Sequence, residues 1–519
     1  MRKVGLSCNQ GREDWIDVKE TISRERLEAP PGTTYAETIL EPSHLFMLEH
    51  YFSPLASTNK AWAVMLVETG IVDEDRGAAL LDAMLALEAA GSEAIGDFDP
   101  RYEYFYSHVE RFLTERIGEE IAGEINIART RPEPLTRLLL RSRLLDLCDA
   151  LAGFCGNLLT LAEREADTVM PQWTHFQPAQ ISTLGHYLVG IENLLVRDFD
   201  RLRAAYRTTN RCTLGCGALA GTSYPIDRQL VSDLLGFDGF QENTIDCVAA
   251  ADYVLEAATA TAGLMVSLSR LCQDLWIWHT EEFGFIEIGD DYAGSSSMMP
   301  QKKNAYVFEF VRARAAHAIG DAAAALGTLR GANFQDLKDV EEEVVTPVVR
   351  SLDEAARALR LLDGSIRSMQ INRELMLEHA SRSFATATEL AAAIHRRGGL
   401  SYRTAHRVVA NLVLRASRGR DARTVDLALL NESARDLLGH DLEIDEDTFR
   451  KALDPVAFVA AHAVTGGPAP NAVRESVASA RATLDERRRA VEDDRAALAG
   501  AAAELAARVA RLRERVAAE

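Results

Sequence analysis

Five long, apolar, proline-free stretches constrain this chain more than any other feature. They are Leu135 to Glu165, Thr183 to Tyr206, Cys247 to Glu281, Tyr306 to Gly327 and Val348 to Asp363. Each exceeds the mean helix length and carries apolar residues on more than one face. A helix that is apolar all round must be buried by other helices, so the pattern predicts an all-α chain with a central bundle. Strand-like alternation is weak throughout. No glycine-rich phosphate loop of the Rossmann or Walker type occurs.

Composition narrows the partners. At 519 residues the chain has room for roughly three domains, and 47% hydrophobic against 26% charged residues supports a large core. Fifty-seven Lys and Arg against seventy-eight Asp and Glu leave a net charge of −21. Such a field repels nucleic acid and anionic lipid, so no nucleic-acid and no membrane partner is expected. Seven cysteines, an odd number, do not form a disulfide framework. Cys212 and Cys216 are the closest pair, without zinc-ligand spacing, and buried thiols are the favoured reading. The N-terminal segment lacks the apolar centre of a signal peptide, and the expectation is a soluble, cytoplasmic protein.

Four regions are expected. Residues 1–125 form an N-terminal helical domain and residues 126–370 the central bundle. Residues 371–476 have shorter periods and more turns, as in a small helical domain. Residues 477–519 are biased to Ala, Arg, Glu and Leu, with one glycine, Gly500, and no proline. That tail reads as a long polar or coiled-coil helix, solvated in preference to partner-binding.

The stretch richest in chemistry is Gly294 to Asn304, GSSSMMPQKKN. A Ser- and Gly-rich loop that feeds lysines and an asparagine into a helix start suits carboxylate binding. Composition alone favours a flexible surface loop. The segment resembles the signature loop of the fumarase/aspartase superfamily, and its QKKN ending resembles the argininosuccinate lyase branch. The likeness extends to THFQPAQ (Thr174 to Gln180), GALAGTSYPIDR (Gly217 to Arg228), NTIDCVAAADYVLE (Asn243 to Glu256), WHTEEFGFIEIGDD and LDPVAFVAAHAVTGG (Leu453 to Gly467). These motifs span most of the chain in family order.

The resemblance implies a three-domain all-α chain whose central helices form a twenty-helix core in a homotetramer. It implies anti β-elimination from a small dicarboxylate substrate, with active sites shared between subunits. A proton leaves the carbon beside a carboxylate, the neighbouring C–N bond breaks, and fumarate departs. By resemblance Ser296, first of the family's serine pair Ser296–Ser297, is the base. Ser295 stands where the family has a glycine. Lys302 and Asn304 would bind the carboxylate on which charge develops, and Thr174 would add a hydroxyl. His175 corresponds to the histidine that helps protonate the leaving nitrogen, and Glu309 to the glutamate that charges it. A hydrogen-bonded core histidine is the bland alternative, disfavoured by the threonine before His175 and by Gln177 and Gln180 after it. Arg131 would line the site from another subunit. No metal or organic cofactor is implied, because the substrate's own carboxylate is the electron sink.

Four departures fall on the substrate side. The family's Arg-Ser-Arg-Asn-Asp-Gln is here Arg129-Thr130-Arg131-Pro132-Glu133-Pro134. Its Glu-Asp-x-His is Glu103-Tyr104-Phe105-Tyr106. Its Tyr-Asn-x-Asp-Leu-Gln-x-Asp-Lys is Asn333 to Glu341, with Lys338 for Gln and Glu341 for Lys, and Ala251 replaces an arginine. The aromatics Tyr104 to Tyr106 either stack on a cation or flat group or fill core volume. Together these changes point to a C–N lyase acting on an N-substituted aspartate or succinate other than argininosuccinate. An aminopolycarboxylate of the ethylenediamine-disuccinate kind is one candidate. The rivals are argininosuccinate lyase itself, a lyase with a non-amine leaving group such as nitrite, and a non-catalytic scaffold like some lens crystallins.

Overall fold

The computed structural model of the protein describes residue 27 and residues 29–130, 134–416 and 421–518. These are helical apart from three two-stranded antiparallel pairs. Helices α1 (Glu41–Glu68) and α2 (Glu74–Ala90) precede the bundle. The bundle is formed by α3 (Leu135–Arg164), α4 (Leu184–Thr209), α6 (Asp252–Trp278), α7 (Tyr306–Leu329) and α8 (Val345–Ser368). By length and composition α3 could cross a bilayer, yet it is the bundle's most enclosed helix. Its Leu140, Leu144, Leu151 and Leu158 are fully buried, as are Leu264, Leu268 and Leu271 of α6.

The third apolar stretch forms two helices where one was expected. Short α5 (Thr244–Ala249) ends where Ala250 turns extended, and α6 restarts at Asp252. Asn243 caps α5 through the amides of Ile245 and Asp246, and Asp252 places a carboxylate in the first turn of α6. The alanines at the break carry no sequence signal for it.

A hairpin, β1 (Val169–Thr174) and β2 (Gln177–Thr183), joins α3 to α4. Its root is tightly set. A side chain at Gly185 would sit 2.4 Å from the Ala162 carbonyl, so only glycine lets α4 start so close to the end of α3. Fully buried Glu165 accepts hydrogen bonds from Thr168 (2.6 Å) and from Arg373 (2.6 and 2.8 Å), tying the later segment to this root. Burial alone would raise the Glu165 pKa, but these bonds outweigh it and hold the carboxyl below its ordinary value.

The helices alternate in direction, so the connections gather at two ends. At one end Tyr187 donates to Asp274 (2.6 Å), and Trp173 packs on Trp278, Phe283 and Phe285. At the other, Arg137 donates to the Thr208 carbonyl (2.9 Å) and stacks on Tyr253. The 27 residues of α6 put about 40 Å between the ends at 1.5 Å per residue. Residues Leu390, Ile394, Val408, Leu412, Leu430 and Phe449 form a separate small core. A patch of Val169, Ile181, Ala380, Ala385, Phe458 and Val459 links the hairpin to the C-terminal segment.

The last helix, α9 (Pro470–Ala518), is not a solvated appendage. Val477, Leu484, Val491, Leu498, Leu505 and Leu512 recur every seven residues, which keeps them on one face. That face joins the main core against α3, α4 and α2. Arginines beside it reach acids of the body: Arg481 to Glu163 (2.8 Å), Arg487 to Asp200 (2.7 Å), Arg495 to Asp146 (2.7 Å), Arg513 to Asp82. Under α9, Glu192 of α4 is buried with neither carboxylate oxygen hydrogen-bonded among the described residues. Burial pushes its pKa up to about 7, partly offset by Arg487.

Two outcomes follow. Leu484→Ala should cost about 2–4 kcal/mol in chemical denaturation and Arg513→Ala less than about 1, because buried volume outweighs exposed ion pairs. Equal losses would show that the charges hold α9. For Glu192 the folded-state pKa lies above the unfolded one, so its penalty is absent below about pH 4.5, grows up to about pH 7 and is full above. Glu192→Gln should therefore stabilise the fold at pH 8, by at most roughly 3 kcal/mol, and do little at pH 4.5. A gain independent of pH would refute this account.

Candidate active site

The serine loop is closed at its base by β3 (Gly294–Ser295) pairing with β4 (Lys303–Asn304). Gly294 is required there: a Cβ would lie 2.1 Å from the Tyr306 ring. The Asn304 amide donates to the Gly294 carbonyl (3.1 Å) and to the Tyr306 hydroxyl (3.2 Å), so in this chain Asn304 clasps the loop base. Lys303 pairs with Glu287 (2.8 Å) and Asp290 (2.7 Å). Burial would lower the Lys303 pKa slightly, but the two carboxylates outweigh it and raise it. Lys302 is exposed and has no side-chain ion pair among the described residues. Of the two lysines, the structure leaves Lys302 available to a ligand.

Within the loop the three serines differ. The Ser296 Oγ accepts the backbone amides of Met299 (3.0 Å) and Met298 (3.3 Å), an arrangement that stabilises negative charge on that oxygen. Ser297 and Met298 point to solvent. The upstream motif contributes more than its sequence suggested. His279 Nε2 lies 3.3 Å from the Lys303 carbonyl, and Glu287 and Asp290 hold the lysine beside it. Acidic residues facing a basic loop were the only available signal.

His175 and Phe176 are the two turn residues of the hairpin, both with positive φ (53° and 59°). Two-residue hairpin turns demand this conformation and usually recruit Asn-Gly or Asp-Gly. Here an imidazole and a phenyl ring occupy it, at a cost of roughly 1 kcal/mol each. Both are exposed, Phe176 to 72%. Thr174 is exposed at the end of β1, and Gln180 reaches Thr388 at 3.4 Å. Glu309 is exposed in the first turn of α7. The hairpin tip and the serine loop thus lie at the same end of the bundle. Neither His175 nor Glu309 has a hydrogen-bond partner among the described residues.

The described residues of the substrate-side segments lie toward the opposite end. Arg131, with Pro132 and Glu133, lies outside the described residues. A small cleft is lined there by Thr130, Arg137, Cys247, Tyr253, Asp336 and Glu341, among others. Phe105 is fully buried against His44 and Tyr106, so it fills core volume. Tyr104 faces a cation, but one the chain supplies: Lys338 Nζ stands 5.2 Å from its ring centre. Lys338 also pairs with Glu341 and with Glu342 (3.2 Å). Among the described residues no three His, Cys, Asp or Glu side chains gather as a metal site.

Comparison with known proteins places these features. A lyase family model matches residues 46–320, and an argininosuccinate lyase C-terminal model matches residues 384–460. The chain is 36% identical over 452 residues to the argininosuccinate lyase of Methanothermobacter thermautotrophicus, covering 86% of this chain and 96% of that one. It is 37% identical over 428 residues to that of Methanoculleus marisnigri, covering 81% and 85%. A solved EDDS lyase variant with bound fumarate superposes with a TM-score of 0.84 at 32% identity, over 94% of this chain and 97% of the other. The class II fumarase of Schistosoma mansoni, 17% identical with a TM-score of 0.65 over 79% and 90% of the chains, shares the fold.

The loop geometry separates the adjacent lysines. Lys303→Ala should lower the thermal midpoint by about 1–3 °C, as expected for a partly exposed pair worth up to about 1 kcal/mol. Lys302→Ala should leave it unchanged. Equal shifts in calorimetry would show that the Lys303 ion pairs do not hold the loop.

Proposed function

The chain belongs to the argininosuccinate lyase branch of the fumarase/aspartase superfamily, as a carbon–nitrogen lyase that releases fumarate, and from that premise we propose that it cleaves an N-substituted aspartate whose amine half is not arginine. The observation that carries this reading is Lys338. By resemblance its segment grips the arginine end of the substrate, yet here its own ammonium occupies Tyr104, Glu341 and Glu342. A guanidinium would have to displace a paired lysine from those groups. Pro132 and Ala251 remove further polar contacts, and a pocket built for polar partners discriminates strongly when they are absent. An amine half of the ethylenediamine-disuccinate kind fits the likeness to EDDS lyase. Argininosuccinate lyase activity is the second reading, favoured by the names of the relatives.

In the proposed mechanism Ser296 acts as alkoxide, its charge held by the Met298 and Met299 amides. It takes the proton from the carbon beside a carboxylate. The electron pair moves into that carboxylate, where Lys302, with Thr174 and Ser297, would meet the second negative charge while the Asn304 amide holds the loop base. The C–N bonding pair then leaves with nitrogen, which His175 protonates while Glu309 stabilises the imidazolium. Gln180 and Arg131 complete the substrate contacts.

The reading includes a homotetramer. Ile319 and Leu326 lie exposed on one side of α7, an apolar strip that a second copy would cover. Serine loop and cleft stand about 40 Å apart in one chain, too far for one small substrate to touch both. A site that uses both must draw on several chains.

The test runs the reaction backwards, following fumarate absorbance with arginine, ethylenediamine, simple amino acids, hydroxylamine and nitrite as nucleophiles. Addition with another amine and silence with arginine is expected, whereas an ordinary rate with arginine overturns the proposed specificity. Ser296→Ala should abolish turnover with the assembly intact, and a retained rate would exclude Ser296 as the base. Lys302→Ala should cost about 100-fold or more. Mixing inactive Ser296→Ala and His175→Asn subunits after denaturation should restore about a quarter of the activity, since each site then draws the two residues from different chains at random. No recovery would place both in one chain's site.

A further inference from the structure

At the cleft end, far from the serine loop, two cysteines distant in sequence meet. Cys247 on α5 lines the cleft and is 8% exposed. Its sulfur lies 3.2 Å from the Arg228 Nη2 and donates to the Gln241 carbonyl (3.3 Å), and it adjoins the thiol of Cys216, which donates to the Gly217 carbonyl (3.5 Å). Cys216 is fully buried in a turn between Gly215 and Gly217, both with positive φ. The guanidinium is fixed in place. Arg228 also donates to the carbonyls of Gln241 (2.7 Å) and Leu214 (3.1 Å) and stacks on Phe240. Arg137, held over Tyr253, adds a second positive charge.

This is the environment of a reactive thiol: a cation in contact, a second sulfur in reach and an opening to solvent. The adjoining Cys216 thiol and the nearby guanidinium overcome burial and hold the Cys247 thiol below its ordinary pKa. The bundle's other cysteines are the reverse case. Burial pushes Cys148 up to about 12 and Cys155 and Cys272 well above their ordinary values.

We propose that Cys247 and Cys216 form a hydroperoxide-reactive pair, with Cys247 attacking and Cys216 resolving. The Cys247 thiolate displaces hydroxide from hydrogen peroxide and becomes a sulfenic acid, and hydroxide takes up the thiol's proton as water. The Cys216 thiol then attacks that sulfur, an S–S bond forms, and a second water leaves. Two thiols and one peroxide give one disulfide and two waters. The product ties the Gly215–Gly217 turn to α5 and removes the charge that Arg228 faces.

The experiment treats the full-length protein with hydrogen peroxide at neutral pH, quenches with an alkylating agent and maps peptides by mass spectrometry. The expected result is a Cys216–Cys247 cross-link, lighter by two hydrogens and reversed by dithiothreitol, that forms at least about tenfold faster than any change at Cys148, Cys155 or Cys272. Cys216→Ser, or Cys216→Ala should the serine variant fail to fold, should stop at a Cys247 sulfenic acid trapped by dimedone. Cys247→Ser should leave Cys216 unmodified. Absence of the cross-link in the wild type, or Cys247 oxidising no faster than Cys272, overturns the proposal.

Discussion

The packing of α3 against α4, α8 and α9 decides where every candidate functional group lies. Helices of 24 to 30 residues that are apolar on several faces leave little choice but an antiparallel bundle. Antiparallel packing sends alternate connections to opposite ends. The hairpin and the serine loop go to one end, the cleft of Arg137, Cys247 and Glu341 to the other. The separation is a matter of helix length, and no loop movement closes about 40 Å. Chemistry that needs both ends in one site would therefore need more than one chain, as in the proposed assembly.

Periodicity made the bundle legible in the sequence because burial imposes it directly. Four of the five stretches became single helices with ends shifted by a few residues, and the third was divided. The break at Ala250–Ala251 was illegible because two alanines carry it, with no proline, glycine or side-chain cap at the restart of α6. The hairpin was illegible for a different reason. His175 and Phe176 occupy left-handed positions that neither residue type favours, so local propensity argues against the turn that tertiary packing enforces. The serine loop was legible only as a motif. Which serine accepts backbone amides and which lysine is already paired depend on contacts with Glu287, Asp290 and Tyr306. Cys212 and Cys216 were the closest pair in sequence, yet Cys216 meets Cys247.

Charge shows the same dependence on context. The formal charge of −21 describes the whole chain, but the acids are not uniformly free to repel. Along α9 a series of arginines neutralises Glu163, Asp200, Asp146 and Asp82 on the body. The tail looked polar because its arginines and acids outnumber its valines and leucines, while a single heptad stripe carries the burial. The ion pairs set its register along the bundle, and the stripe supplies most of the energy.

The strained turn and the serine loop bear on one question in the proposed mechanism, how a weak base would become useful. A serine hydroxyl gives up its proton reluctantly, and two amides aimed at its oxygen lower that barrier before any substrate arrives. The loop keeps that geometry because Gly294 lies under Tyr306 and Asn304 closes the base. At the hairpin, stored strain keeps His175 out in solvent on a rigid stalk rooted by Gly185 and Glu165. A histidine that folded back onto its own chain would satisfy its hydrogen bonds and be lost to catalysis. The positive φ values prevent that collapse, so backbone strain of about 1 kcal/mol per residue keeps the imidazole exposed for the role proposed for it.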